Sequence, residues 1–357
     1  MKRLARITGL KICTMLLLAG SILGSCNVLD DEATEDCAVY VSFKYDMNME
    51  FTNSFAHAVN SVTLYAFDES GKLAFQKTEE GELLKQNDYR MRLDEISVTE
   101  KAKYDFIVWA GEPNNESFSI PLLTVGKNTK EDLICQLNRA GGGIVKDNLD
   151  DLFHGQSTNL SFGRSAGEQH VEVPLVKNTN TIRIVLQQVT GEPLNVKDFT
   201  FTLTDNNGKM NYDNTLMEDE VLTYQPWHTG DGNVKLDDEQ YEVVEGITQI
   251  NVAIAELTVA RLIKRDVKEE IEEQEGHVEP ILTITRNEDQ KVVLRIPLVD
   301  CALLYKGQKY AYMSDQEFLD REDQYNFTFF LDEYDNWVNS TIIINDWKCI
   351  YQESELE

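Results

Sequence analysis

The chain has 357 residues, with 33 basic and 62 acidic side chains and a formal charge of −29. Hydrophobic residues make up 42% and aromatic residues 9%, enough to build packed cores, so a disordered chain is excluded. A charge this negative repels a phosphate backbone and excludes a nucleic-acid partner, and five His with no Cys-x-x-Cys pair exclude the common zinc sites.

The elements begin with a leader. Lys2, Arg3, Arg6 and Lys11 form a positive n-region, an interrupted apolar run spans Cys13 to Ile22, and Leu23-Gly24-Ser25-Cys26 follows. Small residues before a Cys are what lipid attachment to a thiol needs, so residues 1–25 read as a signal peptide and Cys26 as a lipidation site. The alternatives are an ordinary signal peptide or a membrane helix, for which the run is short and broken. Acyl chains at about 0.8 kcal/mol per buried methylene would anchor the chain stably to a membrane. Residues 26–37 then form a lipidated acidic tether, carrying Asp30, Asp31, Glu32, Glu35 and Asp36.

The body is predicted to be all-β. Val39, Val41, Phe43 and Tyr45 alternate with Tyr40, Ser42 and Lys44, a strand with one buried face. Val62 to Phe67 is apolar on both faces, Asp68-Glu69-Ser70-Gly71 turns the chain, and Leu73 to Phe75 returns as a hairpin. Tyr104 to Trp109 is a further strand closed by Gly111. Thr129 and Asp132 resemble a helix-capping pair before Leu133, Ile134 and Leu137. Ala140 to Gly143 is a glycine run without the spacing of a phosphate loop. The polar stretch Asn159 to His170 ends one strand set, and Val171 to Leu186 starts another. Two domains are therefore expected, over 38–175 and 176–357.

In the second half Ile182, Ile184 and Leu186 alternate, as do Phe199, Phe201 and Leu203 with Thr200, Thr202 and Thr204. Asp205-Asn206-Asn207-Gly208 reads as a turn; it lacks the spaced twelve-residue loop of a calcium site. Further strands fit Ile247 to Ile254, Ile281 to Thr285, Val292 to Ile296, Tyr325 to Phe330 and Thr341 to Ile344. Asp266 to Glu275 reads as an exposed polar helix or loop. Ser314-Asp315-Gln316-Glu317 is a capping box before Phe318 and Leu319. Many short β-branched strands at this spacing suit sandwiches.

Beyond the leader stand Cys37, Cys135, Cys301 and Cys349. Four thiols in an exported protein allow three pairings. Cys37–Cys135 with Cys301–Cys349 is the simplest, and buried free thiols are the alternative. No Gly-x-Ser-x-Gly elbow, His-Glu-x-x-His or Walker-type loop occurs. His57, His154, His170, His228 and His277 each stand alone. No enzyme, metal or cofactor is therefore expected, and no catalytic residue is nominated.

Several blocks carry a resemblance. They are Cys37-Ala-Val-Tyr-Val-Ser-Phe-Lys-Tyr-Asp-Met-Asn-Met49, Phe55 with Val62 to Gly71, Tyr104 to Gly111, Gln316 to Asn326, Trp337, and Ile342-Ile-Ile-Asn-Asp-Trp347. Together with the lipid box the series resembles the FimB-like minor fimbrial subunits, the fimbrial anchor lipoproteins of Bacteroidales. The acidic tether resembles the surface-export signal of Bacteroidetes lipoproteins. The resemblance implies two transthyretin-like β-sandwich domains in tandem with few short helices. It implies an outer-membrane lipoprotein at the fimbrium base that anchors the fimbrium and helps limit its length. Its implied partner is the major fimbrial shaft subunit, met by strand exchange or by docking.

An anchor that keeps its lipid end keeps its first strand, Ala38 to Tyr45, in its own groove. The candidate donor strand is then Thr341, Ile342, Ile343, Ile344 and on to Trp347, unless that strand completes the second sandwich. Two other classes stay open. A surface glycan-binding lipoprotein needs Trp109, Trp227 or Trp337 exposed on a flat face, and a fimbrial tip adhesin would use the same sandwiches.

Overall fold

The computed structural model describes residues 38–96, 102–163, 167–235, 249–265, 278–345 and 347–350. In chain order the strands are β1 (Val39–Lys44), β2 (Ser61–Asp68), β3 (Leu73–Glu80), β4 (Met91–Leu93), β5 (Lys103–Gly111), β6 (Phe118–Ser119), β7 (Cys135–Leu137) and β8 (Ile144–Val145). Then come β9 (Leu152–Ser161), β10 (Gln169–Lys177), β11 (Thr179–Gln188), β12 (Phe199–Asp205), β13 (Lys209–Met210), β14 (Leu222–Tyr224) and β15 (His228–Lys235). The last are β16 (Gln249–Ala260), β17 (Ile281–Arg286), β18 (Val292–Pro297), β19 (Gln324–Leu331), β20 (Trp337–Ile344) and β21 (Trp347–Ile350). Short helices α1 (Phe55–Ala58), α2 (Leu298–Lys306) and α3 (Asp315–Arg321) interrupt them. The expectation of an all-β chain with few short helices holds.

The first sheet runs β3-β2-β5-β9-β10-β1-β4. It folds over on itself at β10. Residues Gln169 to Pro174 of β10 pair in parallel with β1, whereas Leu175 to Lys177 pair antiparallel with β9. The change falls at Pro174, whose missing N–H suits a place where ladder bonding is handed from one neighbour to another. Strands β4 and β1 thus face β2 and β5 across a core of Val39, Val41, Phe43, Val62, Leu64 and Phe106. The period-two pattern of β1 appears as strict alternation of buried and half-buried side chains.

Two further sheets, β15-β16-β11-β19-β20-β21 and β18-β17-β12-β14-β8, share a second core. Ile182, Ile184 and Leu186 line it from one sheet, Phe199, Phe201 and Leu203 from the other. Tyr65, Phe67, Ile107 and Trp109, on the back of β2 and β5, join the same core. This is why the run Val62 to Phe67 is apolar on both faces. Strands β7 and β8 pair with β13 and β14, from the other half of the chain.

Some expectations change. Val171 to Leu186 divides at Asn178 into β10 and β11, which lie in different sheets. The Thr129–Asp132 capping box is formed, but over a single 3₁₀ turn of Lys130–Asp132, and Leu137 belongs to β7. The chain cannot continue as a helix there because Cys135 to Leu137 is taken into ladders with β6 and β13. Ser314 caps α3, its hydroxyl accepting from the Glu317 N–H as the sequence predicts. The segment Asp266 to Glu275 lies outside the described residues.

Candidate functional site

The first strand is held on both sides. β1 pairs with β10 over its whole length and with β4 through Val39 to Val41. Val39, Val41 and Phe43 are buried, and Phe43 stacks on Phe55 and Tyr89. The chain leaving β1 is tied to the other half of the molecule. Arg321 on α3 donates to the Asp46 carbonyl at 2.8 Å and lies over the Phe51 ring at 4.5 Å. Next to it, Lys177 Nζ sits 2.9 Å from Asp151 and 2.7 Å from Asp323. Those two carboxylates hold the ammonium charged although burial opposes it.

At the C-terminal end, β20 lies between β19 and β21. Ile342 and Ile344 pair with Phe329 and Phe327 and are fully buried, while Ile343 is half-buried. Thr341 belongs to the same strand, and Trp347 opens β21, the edge strand opposite Ile344. The residues nominated as a donor strand are therefore together, as one paired hairpin within the six-stranded sheet.

The cysteines separate. Cys26 and Cys37 lie outside the described residues. Cys135 stands free on β7 without the expected link to Cys37. It is fully buried in the larger core, and burial pushes its thiol above the usual range. Cys301 is buried on α2, the helix that packs against β21, which carries Cys349.

Trp109, Trp227 and Trp337 form no common face. Trp109 is buried in the core, edge-on to His154. Trp337 meets Phe329 edge-on. Trp227 alone of these three is exposed, at 40%. His154 is buried too, its Nε2 2.8 Å from the Tyr212 carbonyl, and desolvation lowers its pKa to about 4. Among the described residues no group of three acids, His or Cys is arranged to hold a metal ion, and no helix is long and apolar enough to cross a membrane.

The turn after β12 differs from its sequence reading. Asp205, Asn206 and Asn207 are fully buried. Asn207 donates to the Ala260 and Arg261 carbonyls at 3.0 and 3.2 Å and accepts from the Tyr224 hydroxyl at 2.6 Å. Arg265 donates to Asp205 Oδ1 at 2.7 Å. Burial raises the Asp205 pKa to about 6 against the pull of Arg265. The polar string that signals a turn here is a buried strap between sheets, which composition alone does not distinguish.

Comparison with known proteins follows this geometry. No curated protein matches the chain. A candidate adhesin from Bacteroides thetaiotaomicron is 34% identical, with a TM-score of 0.76 over 88% of this chain and 97% of that one. A candidate polysaccharide-binding protein from the same organism is 28% identical, with a TM-score of 0.73 over 89% and 99%. The fimbrial anchor protein Mfa2 from Porphyromonas gingivalis, 16% identical, has a TM-score of 0.62 over 88% and 99%, a likeness of fold. The sequence model of the fimbrillin-A associated anchor proteins Mfa1 and Mfa2 matches residues 34–353. A chain whose two sheet systems are matched from before β1 to beyond β21 belongs to that family and is a fimbria-associated protein of the cell surface.

Proposed function

We propose that this protein is an outer-membrane lipoprotein that anchors a fimbrium at its base, through lipid on Cys26, and limits the length of the fimbrium. It is a structural, non-catalytic subunit of two sandwich domains that divide near residue 175, with β7 and β8 reaching across to pair with strands of the second, and its partner is the first major shaft subunit. The observation that carries this reading is β1. A first strand buried between β10 and β4 leaves its own groove filled, so the protein cannot accept a strand there and is an end unit. Docking is favoured over donation of the C-terminal strand, because withdrawing β20 would expose Ile342 and Ile344.

The test is mechanical shearing of cells carrying wild-type protein or Cys26→Ala. Wild-type protein is expected in the membrane fraction, and the variant is expected to shed fimbriae into the medium. Wild-type protein travelling with sheared filaments would instead indicate a tip adhesin. Membrane retention with no change in filaments in the variant would overturn anchoring.

A further inference from the structure

At the tip of the first sheet, the β2–β3 turn, the start of β5 and the end of β9 enclose a recess of ≈ 340 Å³. That is within the range of small-ligand clefts, about 300–1,000 Å³. Its wall is built by an irregularity. The β5–β9 register shifts between Tyr104 and Phe106, so Asp105 stands opposite the Thr158–Asn159 pair. Asn159 takes a left-handed φ of 57°, and its N–H donates to Asp105 Oδ1 at 2.8 Å. Bulges of this kind re-aim side chains and gather at binding sites.

The re-aimed Asp105 carboxylate meets Lys130 Nζ at 3.2 Å across the recess. Lys130 also lies 5.3 Å from the centre of the Tyr212 ring. Lys103, exposed and without an ion-pair partner among the described residues, faces the same space with Asp68, Glu69 and the Asn159 carboxamide. Asp68 Oδ1 is already committed to the Ser70 N–H and hydroxyl and the Lys72 N–H.

These groups select a ligand class. Three acids against two lysines disfavour an anion. The described residues contain no cluster suited to a metal ion. Lysine and asparagine donors and carboxylate acceptors line the same recess, a mixture that suits groups that donate and accept at once, as neighbouring hydroxyls do. Tyr104 also lines the recess but is buried against Phe106 and Phe162, so little of its ring is open to stacking. We propose that this recess binds a neutral hexose unit through its hydroxyls, with Asp105, Lys130, Lys103 and Asn159 as its hydrogen-bonding groups. Without stacking, the dissociation constant falls in the millimolar range.

The experiment is an amide-resolved NMR titration of the soluble mature chain. The probes are methyl glucoside, methyl galactoside, methyl mannoside and their neutral oligosaccharides, with glucuronate beside them. Saturable shifts are expected at Lys103, Asp105 and Asn159. Lys103→Met, which breaks no ion pair among the described residues, should weaken binding several-fold, and Asp105→Asn should abolish it. A gain with oligosaccharide length assigns the recess to a polymer, no gain to a terminal unit; both support the proposal. No shifts, shifts unaffected by Lys103→Met, or tighter binding of glucuronate than of every neutral sugar would overturn it.

Discussion

Asp205 is a fully buried carboxylate, and Arg265 is its counter-charge. Its raised pKa, about 6, has a defined sign for stability. The folded state takes up the proton before the unfolded chain does, so this group adds stability as pH falls and loses it as pH rises through about 6. His154 acts oppositely: with a pKa lowered to about 4, it gives up stability as pH falls from 6.5. Glu322, raised to about 7 by burial, has the sign of Asp205. Asp205→Asn removes one stabilising response to acid and leaves that of His154. The variant is therefore expected to lose stability more steeply than wild type between pH 7 and 4, by a further 2–3 kcal/mol or so. Denaturant melts across that range check it; parallel profiles would refute the assignment. None of this was legible in the sequence, where Asp205-Asn206-Asn207-Gly208 carries every mark of a surface turn. Only the fold places Tyr224, Ala260 and Arg265 around it.

Strands fared differently, because period two is a local signal. β1, β2, β5, β11, β12 and β19 lie where alternation or continuous apolar runs place them. α2 was missed, since Leu298 to Lys306 is apolar on too many sides to show a helical stripe. β9 was obscured because its polar end, Asn159 to Ser161, is a strand only through its pairing with Lys103 and Tyr104. Where β9 lies between β5 and β10, Gly155 has no room for a side chain. A Cβ there would stand 2.5 Å from the Pro174 carbonyl oxygen and 2.6 Å from Leu175 Cδ2. Gly155→Ala should therefore strain the corner at which β10 changes partner and cost about 1–3 kcal/mol. A melting curve of the variant indistinguishable from wild type would show that the corner yields freely.

Across the whole molecule, one core reaches from the back of β2 and β5 to β20. Deleting residues 341–357 removes Ile342 and Ile344 from it. Loss of cooperative unfolding is the expected result. A folded deletion variant that no longer anchors fimbriae would instead assign the strand to donation. The family was legible because ordered blocks recur from Cys37 to Trp347. The recess at Asp105 was not, because Lys103, Lys130 and Asn159 are far apart in the chain and come to one recess only through the β5–β9 pairing and the Lys130–Asp105 ion pair. The pairing of β1 also fixes how the protein bears load. Force directed along β1 would load the ladders to β10 and β4 in shear, their hydrogen bonds sharing it, whereas force directed across β1 would open them one after another.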